Sequence, residues 1–199
     1  DHPGHNNEFE VKASTTLAKL YGDSVIERHS IKTGLNMCQE NPDLNWLKSF
    51  NDSDCEYVKN FISEIILATD VVQHGDIVKL AIDLVAKGPQ DYVSPNTASP
   101  SSMPNAYFDR NNPHHRLFIG RLILHAADIS NTVHSSFEVA ADWAVRVAAE
   151  FTKQTAKEQL LQLPVTPYMQ GLDSQYKIAK MQVGFYQFMV MPLFHILGK

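Results

Sequence analysis

The spacing of the apolar residues constrains the fold of this 199-residue chain more than any other feature. Apolar residues recur at intervals of three and four through most of the sequence, and no stretch shows the sustained alternation of a half-buried strand. One continuous stripe runs from Val58 through Ile65 to Thr69, and it would place Thr69 on the buried face of its helix. The pattern therefore predicts an all-α domain.

Three Ser-x-x-Glu segments predict where individual helices begin. They are Ser24 to Glu27, Ser53 to Glu56 and Ser135 to Glu138. In this capping-box arrangement, the Ser side chain and the acidic group satisfy free N–H groups of the first turn. Helical patterns are also predicted over residues 76–87, 114–129, 136–158 and from 173 to the end of the chain.

A segment of different composition separates these helical patterns. Residues 88–113 contain five of the ten prolines together with several Ser and Asn, a composition that resists both helix and core formation. We predict a long surface loop at about 88–113 inside one domain that spans residues 1–199. Two units divided at this loop are the alternative.

Charge and cysteine content narrow the class of partner and the compartment. The net charge is -5 and the basic residues are dispersed, which excludes a basic nucleic-acid surface and favours a small soluble ligand. The most apolar run, 183–197, is shorter than the roughly 20 residues of a membrane span. Cys38 and Cys55 are too few for a disulfide framework. We therefore expect reduced thiols and a cytoplasmic protein.

The segment from Leu124 to Asn131 places a histidine and a carboxylate among apolar residues. His125 and Asp128 are three positions apart and so lie on one face of a helix, which we expect to be partly buried. A buried carboxylate needs a cation or several hydrogen-bond donors. From these residues alone, a metal ligand and a structural Asp that caps the following turn are equally good interpretations.

Four separated segments together resemble one protein family. They are Leu124–Asn131, Gln182-Val183-Gly184-Phe185, Leu67-Ala68-Thr69-Asp70 and the initial Asp1-His2-Pro3-Gly4-His5-Asn6-Asn7. In their order along the chain, these four segments resemble the class I 3′,5′-cyclic nucleotide phosphodiesterases. The resemblance implies a compact multi-helix, metal-dependent phosphohydrolase domain of the HD/PDEase-like type, incomplete at its N-terminus, so that the chain would be the C-terminal part of a catalytic domain.

The resemblance also implies two divalent metals, zinc together with magnesium or manganese. Asp128 matches a direct zinc ligand. Glu27 and Thr69 match residues that hold waters of the magnesium site, and His2 matches a residue that contacts such a water and the substrate phosphate. The other ligands and the general-acid histidine belong to upstream motifs that the chain does not contain. We therefore expect these 199 residues alone to be inactive, or nearly so.

The residues around the substrate base are implied in the same way. Gln182 matches the amide that bonds the purine edge, Phe185 matches the ring that stacks on its face, and Val147 matches the apolar residue opposite. Asn131 matches a second amide of the pocket and favours cAMP, with cGMP as a second substrate. The alternatives are a non-catalytic nucleotide-binding module and a His-Asp metal phosphohydrolase of another substrate. A homodimer is a further expectation for the parent enzyme.

Overall fold

The computed structural model describes residues 3–87 and 109–198, and the regular secondary structure within those ranges is entirely helical. Within them lie nine α-helices: α1 (Asn7–Lys12), α2 (Thr16–Tyr21), α3 (Val25–Glu40), α4 (Asp52–Leu67), α5 (His74–Lys87), α6 (Pro113–Asp128), α7 (Phe137–Leu160), α8 (Gln175–Phe185) and α9 (Met191–Leu197). A π-helical segment, Tyr186–Val190, joins α8 to α9. The predicted all-α class is confirmed.

The predicted helix starts are correct to within two residues, but the capping side chains differ. Helix α4 begins after Asn51, whose side chain accepts from the N–H of Asp54, and α7 begins after Ser136 rather than Ser135. Ser24 does precede α3, yet it lies in the left-handed region at φ 42° and makes no side-chain cap. Its hydroxyl donates to Asp70 Oδ2 at 2.7 Å instead, so this tertiary hydrogen bond forms in place of the predicted capping box.

The described core is built from the end of α4 together with α5, α6 and α9. Its buried members are Ala68, Ile77, Ala81, Phe118, Leu122, Ala126, Leu193 and Ile196. Helix α4 packs closely on α6, since a Cβ at Gly120 would lie 2.7 Å from the ring of Phe61. Helix α7 packs separately on α8. Helix α6 thus contacts α4 and α5, whereas α8 contacts α7.

The proline-rich segment and the C-terminal run can be compared only in part with their predictions. Residues 88–108 lie outside the described residues, whereas 109–112 form a turn that leads into α6. Pro113 occupies the first turn of α6, where its missing N–H costs nothing. The C-terminal run is helical, with Val190 and Leu193 fully buried. Within the described ranges, no helix is long and apolar enough to cross a membrane.

Candidate active site

One end of the helical layer formed by α3, α4 and α6 carries three carboxylates. Glu27 lies in the first turn of α3, Asp70 follows α4, and Asp128 is the last residue of α6. We call Glu27, Asp70 and Asp128 the acidic cluster. The Glu27 carboxylate interacts electrostatically with both aspartates. The fold thus brings together two predicted site residues and one, Asp70, that we did not predict.

Asn7 holds two members of the acidic cluster. Its Nδ2 donates to Glu27 Oε2 at 2.8 Å and to Asp70 Oδ2 at 3.2 Å, while its Oδ1 accepts from the backbone N–H of Ile26 at 2.9 Å. One amide therefore fixes the first turn of α3 relative to the end of α4. Sequence reasoning missed Asn7, because its partners are 19 to 63 positions away.

The electrostatics of the acidic cluster suit a bound cation. Burial raises the pKa of Glu27, and the negative charges of Asp70 and Asp128 raise it further against the hydrogen bond from Asn7. Desolvation also raises the pKa of Asp128. The Asp128 side chain is nevertheless solvent-accessible and accepts no hydrogen bond within the described ranges. An oxygen-rich, anionic site of this kind is the chemistry that hard divalent cations require.

The described residues do not complete a metal centre. Among them, no group of three or more His, Cys, Asp or Glu side chains is arranged to hold a metal ion. Thr69 lies half-buried beside Asp70, and its hydroxyl donates to the Ile66 carbonyl at 2.8 Å, which leaves oxygen lone pairs free to accept from water. His2 lies outside the described residues. The acidic cluster thus fits part of a divalent-metal site.

His125 and Asp128 have different environments, contrary to the simple expectation of one partly buried face. His125 is fully buried, with 0% of its surface exposed, whereas Asp128 is exposed. Nε2 of His125 lies 3.0 Å from Nδ1 of His74, so one ring donates and the other accepts. Burial lowers the pKa of both rings, and each is therefore stabilised in its neutral form. His125 thus serves the core.

His74 also interacts with the π-helical segment that precedes Pro192. Its ring lies close enough to the Phe188 backbone for that contact to oppose the lowering of the His74 pKa by burial. The buried histidine pair therefore connects α6 through α5 to the π-helical segment that precedes α9.

A cavity of about 710 Å³ lies between α7 and the α8–π segment. Its wall is mostly apolar and includes Phe137, Ala140, Ala144, Val145, Ile178, Val183, Tyr186 and Met191. Three glutamines, Gln175, Gln182 and Gln187, also line it, together with Thr132. The half-buried Gln182 amide makes no hydrogen bond within the described part of the chain. The cavity therefore offers an apolar surface with an amide that is available to a ligand.

The other residues predicted to surround the base lie near this region but outside the cavity wall. Phe185, Val147 and Asn131 are half-buried, and none of them is among the lining residues. The 3₁₀ turn Ser130–Val133 connects Asp128 to Thr132 at the cavity. Four residues of chain span at most about 14 Å, so the acidic cluster and the cavity are neighbours.

The comparisons with known proteins agree with this architecture. A sequence model of the family described as 3'5'-cyclic nucleotide phosphodiesterase matches residues 1–199. The chain is 31% identical over 202 residues to the Drosophila melanogaster High affinity cGMP-specific 3',5'-cyclic phosphodiesterase 9A, covering 100% of this chain and 12% of that protein. It is 30% identical over 201 residues to the Mus musculus High affinity cAMP-specific and IBMX-insensitive 3',5'-cyclic phosphodiesterase 8A, covering 98% of this chain and 23% of that protein.

A solved structure gives the same result at the level of the fold. The phosphodiesterase domain of Salpingoeca rosetta rhodopsin phosphodiesterase superposes with a TM-score of 0.84 at 28% identity, covering 100% of this chain and 55% of that one. The chain thus spans just over half of this solved domain and less than a quarter of each of the two curated relatives. Because the family model matches the chain from end to end, the chain belongs to the 3'5'-cyclic nucleotide phosphodiesterase family.

Proposed function

We propose that the enzyme containing this chain hydrolyses a 3′,5′-cyclic nucleotide to the 5′-monophosphate. The observation that carries the proposal is the proximity of two chemically different surfaces, the acidic cluster and the cavity beside Gln182. The turn Ser130–Val133 runs directly from one to the other. A phosphate accompanied by cations suits the first surface. A flat, largely apolar base with a polar edge suits the second.

The metals we propose are zinc together with magnesium or manganese. Asp128 would bind zinc directly, while Glu27 and Thr69 would accept hydrogen bonds from waters of the second ion, and His2 would contact the substrate phosphate. Two such ions, when bound, lower the pKa of a water and neutralise the phosphate. The exposed Asp128 carboxylate, which has no hydrogen-bonding partner among the described residues, supports its assignment as a ligand.

The residues of the chain itself would bind and orient the base. The Gln182 amide would pair with the purine edge, and Phe185 and Val147 would contact the two faces of the ring. All three side chains are half-buried, and a bound base would cover their remaining apolar surface, which favours binding because it displaces water. Correct orientation of the base would in turn hold the cyclic phosphate against the acidic cluster.

We propose cAMP as the favoured substrate and cGMP as a second one. Adenine and guanine present opposite donor and acceptor patterns, and a primary amide can serve either by rotating. Gln182 therefore does not choose between them, whereas Asn131 adds an amide that favours adenine when the rotation of Gln182 is fixed. The two curated relatives are named for opposite specificities at nearly equal identity, so similarity does not decide between the substrates.

The test compares Asp128→Asn, Glu27→Ala and the exposed control Asp83→Asn in the complete enzyme. Asp128→Asn should lower zinc content and turnover together, because it removes an anionic ligand. Glu27→Ala should mainly raise the magnesium concentration that activity requires. Asp83→Asn should change neither property. Unchanged zinc content and turnover in Asp128→Asn would overturn the ligand assignment.

The same preparations separate the two alternatives. A nucleotide-binding module would bind cAMP by calorimetry without releasing 5′-AMP. A phosphohydrolase with another substrate would cleave a different phosphate ester and leave both cyclic nucleotides intact. Either result, obtained with metal-loaded wild-type enzyme, would refute the proposed reaction.

A further inference from the structure

Two buried polar residues on α7 have no role in the proposed reaction. Gln154 is 1% exposed and Glu158 is 0% exposed, and both lie in the second half of the helix. A buried carboxylate costs free energy unless it is fully hydrogen-bonded. Burial of Gln154 and Glu158 therefore requires hydrogen-bond partners for both side chains.

Glu158 accepts hydrogen bonds at both carboxylate oxygens. Oε2 accepts from the backbone N–H of Thr166 at 2.8 Å, and Oε1 accepts from the Thr166 hydroxyl at 2.9 Å and from Gln154 Nε2 at 3.1 Å. Burial by itself would raise the pKa of Glu158, but these donors outweigh it and the pKa lies below its ordinary value. Glu158 is thus a fixed anion that orients the Gln154 amide.

The oriented Gln154 amide then binds Asn6 at two points. Its Oε1 accepts from the backbone N–H of Asn6 at 2.9 Å, and its Nε2 donates to Asn6 Oδ1 at 3.0 Å. Asn6 Oδ1 also accepts from the N–H of Phe9 at 2.9 Å and so caps α1. Backbone and side chain of Asn6 are therefore both fixed by one residue of α7.

The next residue is Asn7, whose amide holds Glu27 and Asp70. Adjacent Cα atoms are separated by a fixed distance of about 3.8 Å, so holding Asn6 restricts where the Asn7 side chain can reach. Hydrogen bonds from Glu158 through Gln154 to Asn6, followed by the peptide bond to Asn7, thus connect α7 to the acidic cluster.

We propose that Gln154 and Glu158 are positioning residues, which hold Asn7 so that Glu27 is correctly placed for the second metal. This inference rests on the proposed function, because the placement matters only if Glu27 serves that metal. The competing explanation is that the pair merely stabilises α7. The two explanations differ in what they predict for metal binding at temperatures where every variant is folded.

The experiment measures Mn²⁺ binding to the complete enzyme without substrate, by electron paramagnetic resonance, beside the thermal midpoint. Gln154→Ala should weaken Mn²⁺ binding about tenfold, the lower end of what loss of an outer hydrogen-bonding partner causes. Gln159→Ala is the matched control, since this exposed glutamine lies on the same helix and its side chain has no partner within the described ranges. It should bind Mn²⁺ like the wild type.

Two further variants test whether the effect passes through Asn6 and Asn7. Adding Gln154→Ala to Asn7→Ala should weaken Mn²⁺ binding no further than Asn7→Ala alone, because residues acting in series are not additive. Asn6→Ala removes the side-chain part of the same connection, the contact between Gln154 Nε2 and Asn6 Oδ1, and it serves if Gln154→Ala does not fold.

The outcomes separate this inference from the proposed function. If Asn7→Ala and Glu27→Ala weaken Mn²⁺ binding while Gln154→Ala and Asn6→Ala lower only the thermal midpoint, the pair is structural and the inference is wrong. The role of Glu27 then stands. If Glu27→Ala itself leaves Mn²⁺ binding unchanged, the proposed role of Glu27 fails, and the positioning role fails with it.

Discussion

Replacing Gln182 with Ala separates ligand binding from folding unusually well. The amide makes no hydrogen bond with any described residue, so its removal leaves no buried protein group without a partner. The side chain is half-buried at the cavity wall, and loss of its one partly covered methylene should cost less than about 1 kcal/mol of folding free energy. The lost purine hydrogen bond should cost about 1–3 kcal/mol in transition-state binding.

This cost corresponds to a loss of roughly ten- to a hundredfold in kcat/KM. The assay is steady-state hydrolysis of cAMP and cGMP by the complete enzyme, with thermal unfolding of the same samples. We expect both substrates to be affected while the midpoint moves little. Gln187→Ala is the comparison, because Gln187 lines the same cavity. A kcat/KM within about threefold of wild type for Gln182→Ala, a difference of at most about 0.65 kcal/mol, would refute the reasoning.

Three further predictions follow from the same structure. Asn131→Ala should lower kcat/KM more for cAMP than for cGMP, and wild-type enzyme strongly selective for cGMP would contradict this. Leu193→Ala, in the core at 0% exposure, should cost about 2–5 kcal/mol in urea unfolding, whereas Leu160→Ala, 82% exposed, should cost less than about 0.5 kcal/mol. The folded protein should lose stability as the pH falls below 6.5, the ordinary histidine pKa that applies in the unfolded chain. Below that pH the unfolded chain binds protons at His74 and His125, whereas the folded protein, in which both pKa values are lowered, does not. Urea midpoints between about pH 7.5 and 5.5 should fall less for His74→Gln than for wild type; equal slopes would contradict the assignment.

The sequence by itself determined the helical class and the family. The spacing of apolar residues is a local property, and residues three and four apart lie on the same face of a helix. The predicted segments therefore match α4 to α8 within a few residues. The motif segments identified the family because their order and residue types are readable without coordinates. Gln182 was singled out in the same way; the structure places it at the cavity wall, and its contact with the base stays a prediction.

Only the tertiary structure decided how distant polar groups pair. Ser24 forms the first residue of a local capping box, yet its hydroxyl bonds Asp70, 46 positions away. Asn7 joins Glu27 to Asp70, and Gln154 bonds Asn6 across 148 positions. No spacing pattern in the sequence indicates such pairs, because a buried polar group bonds with whichever donor or acceptor the packed helices bring within hydrogen-bond distance.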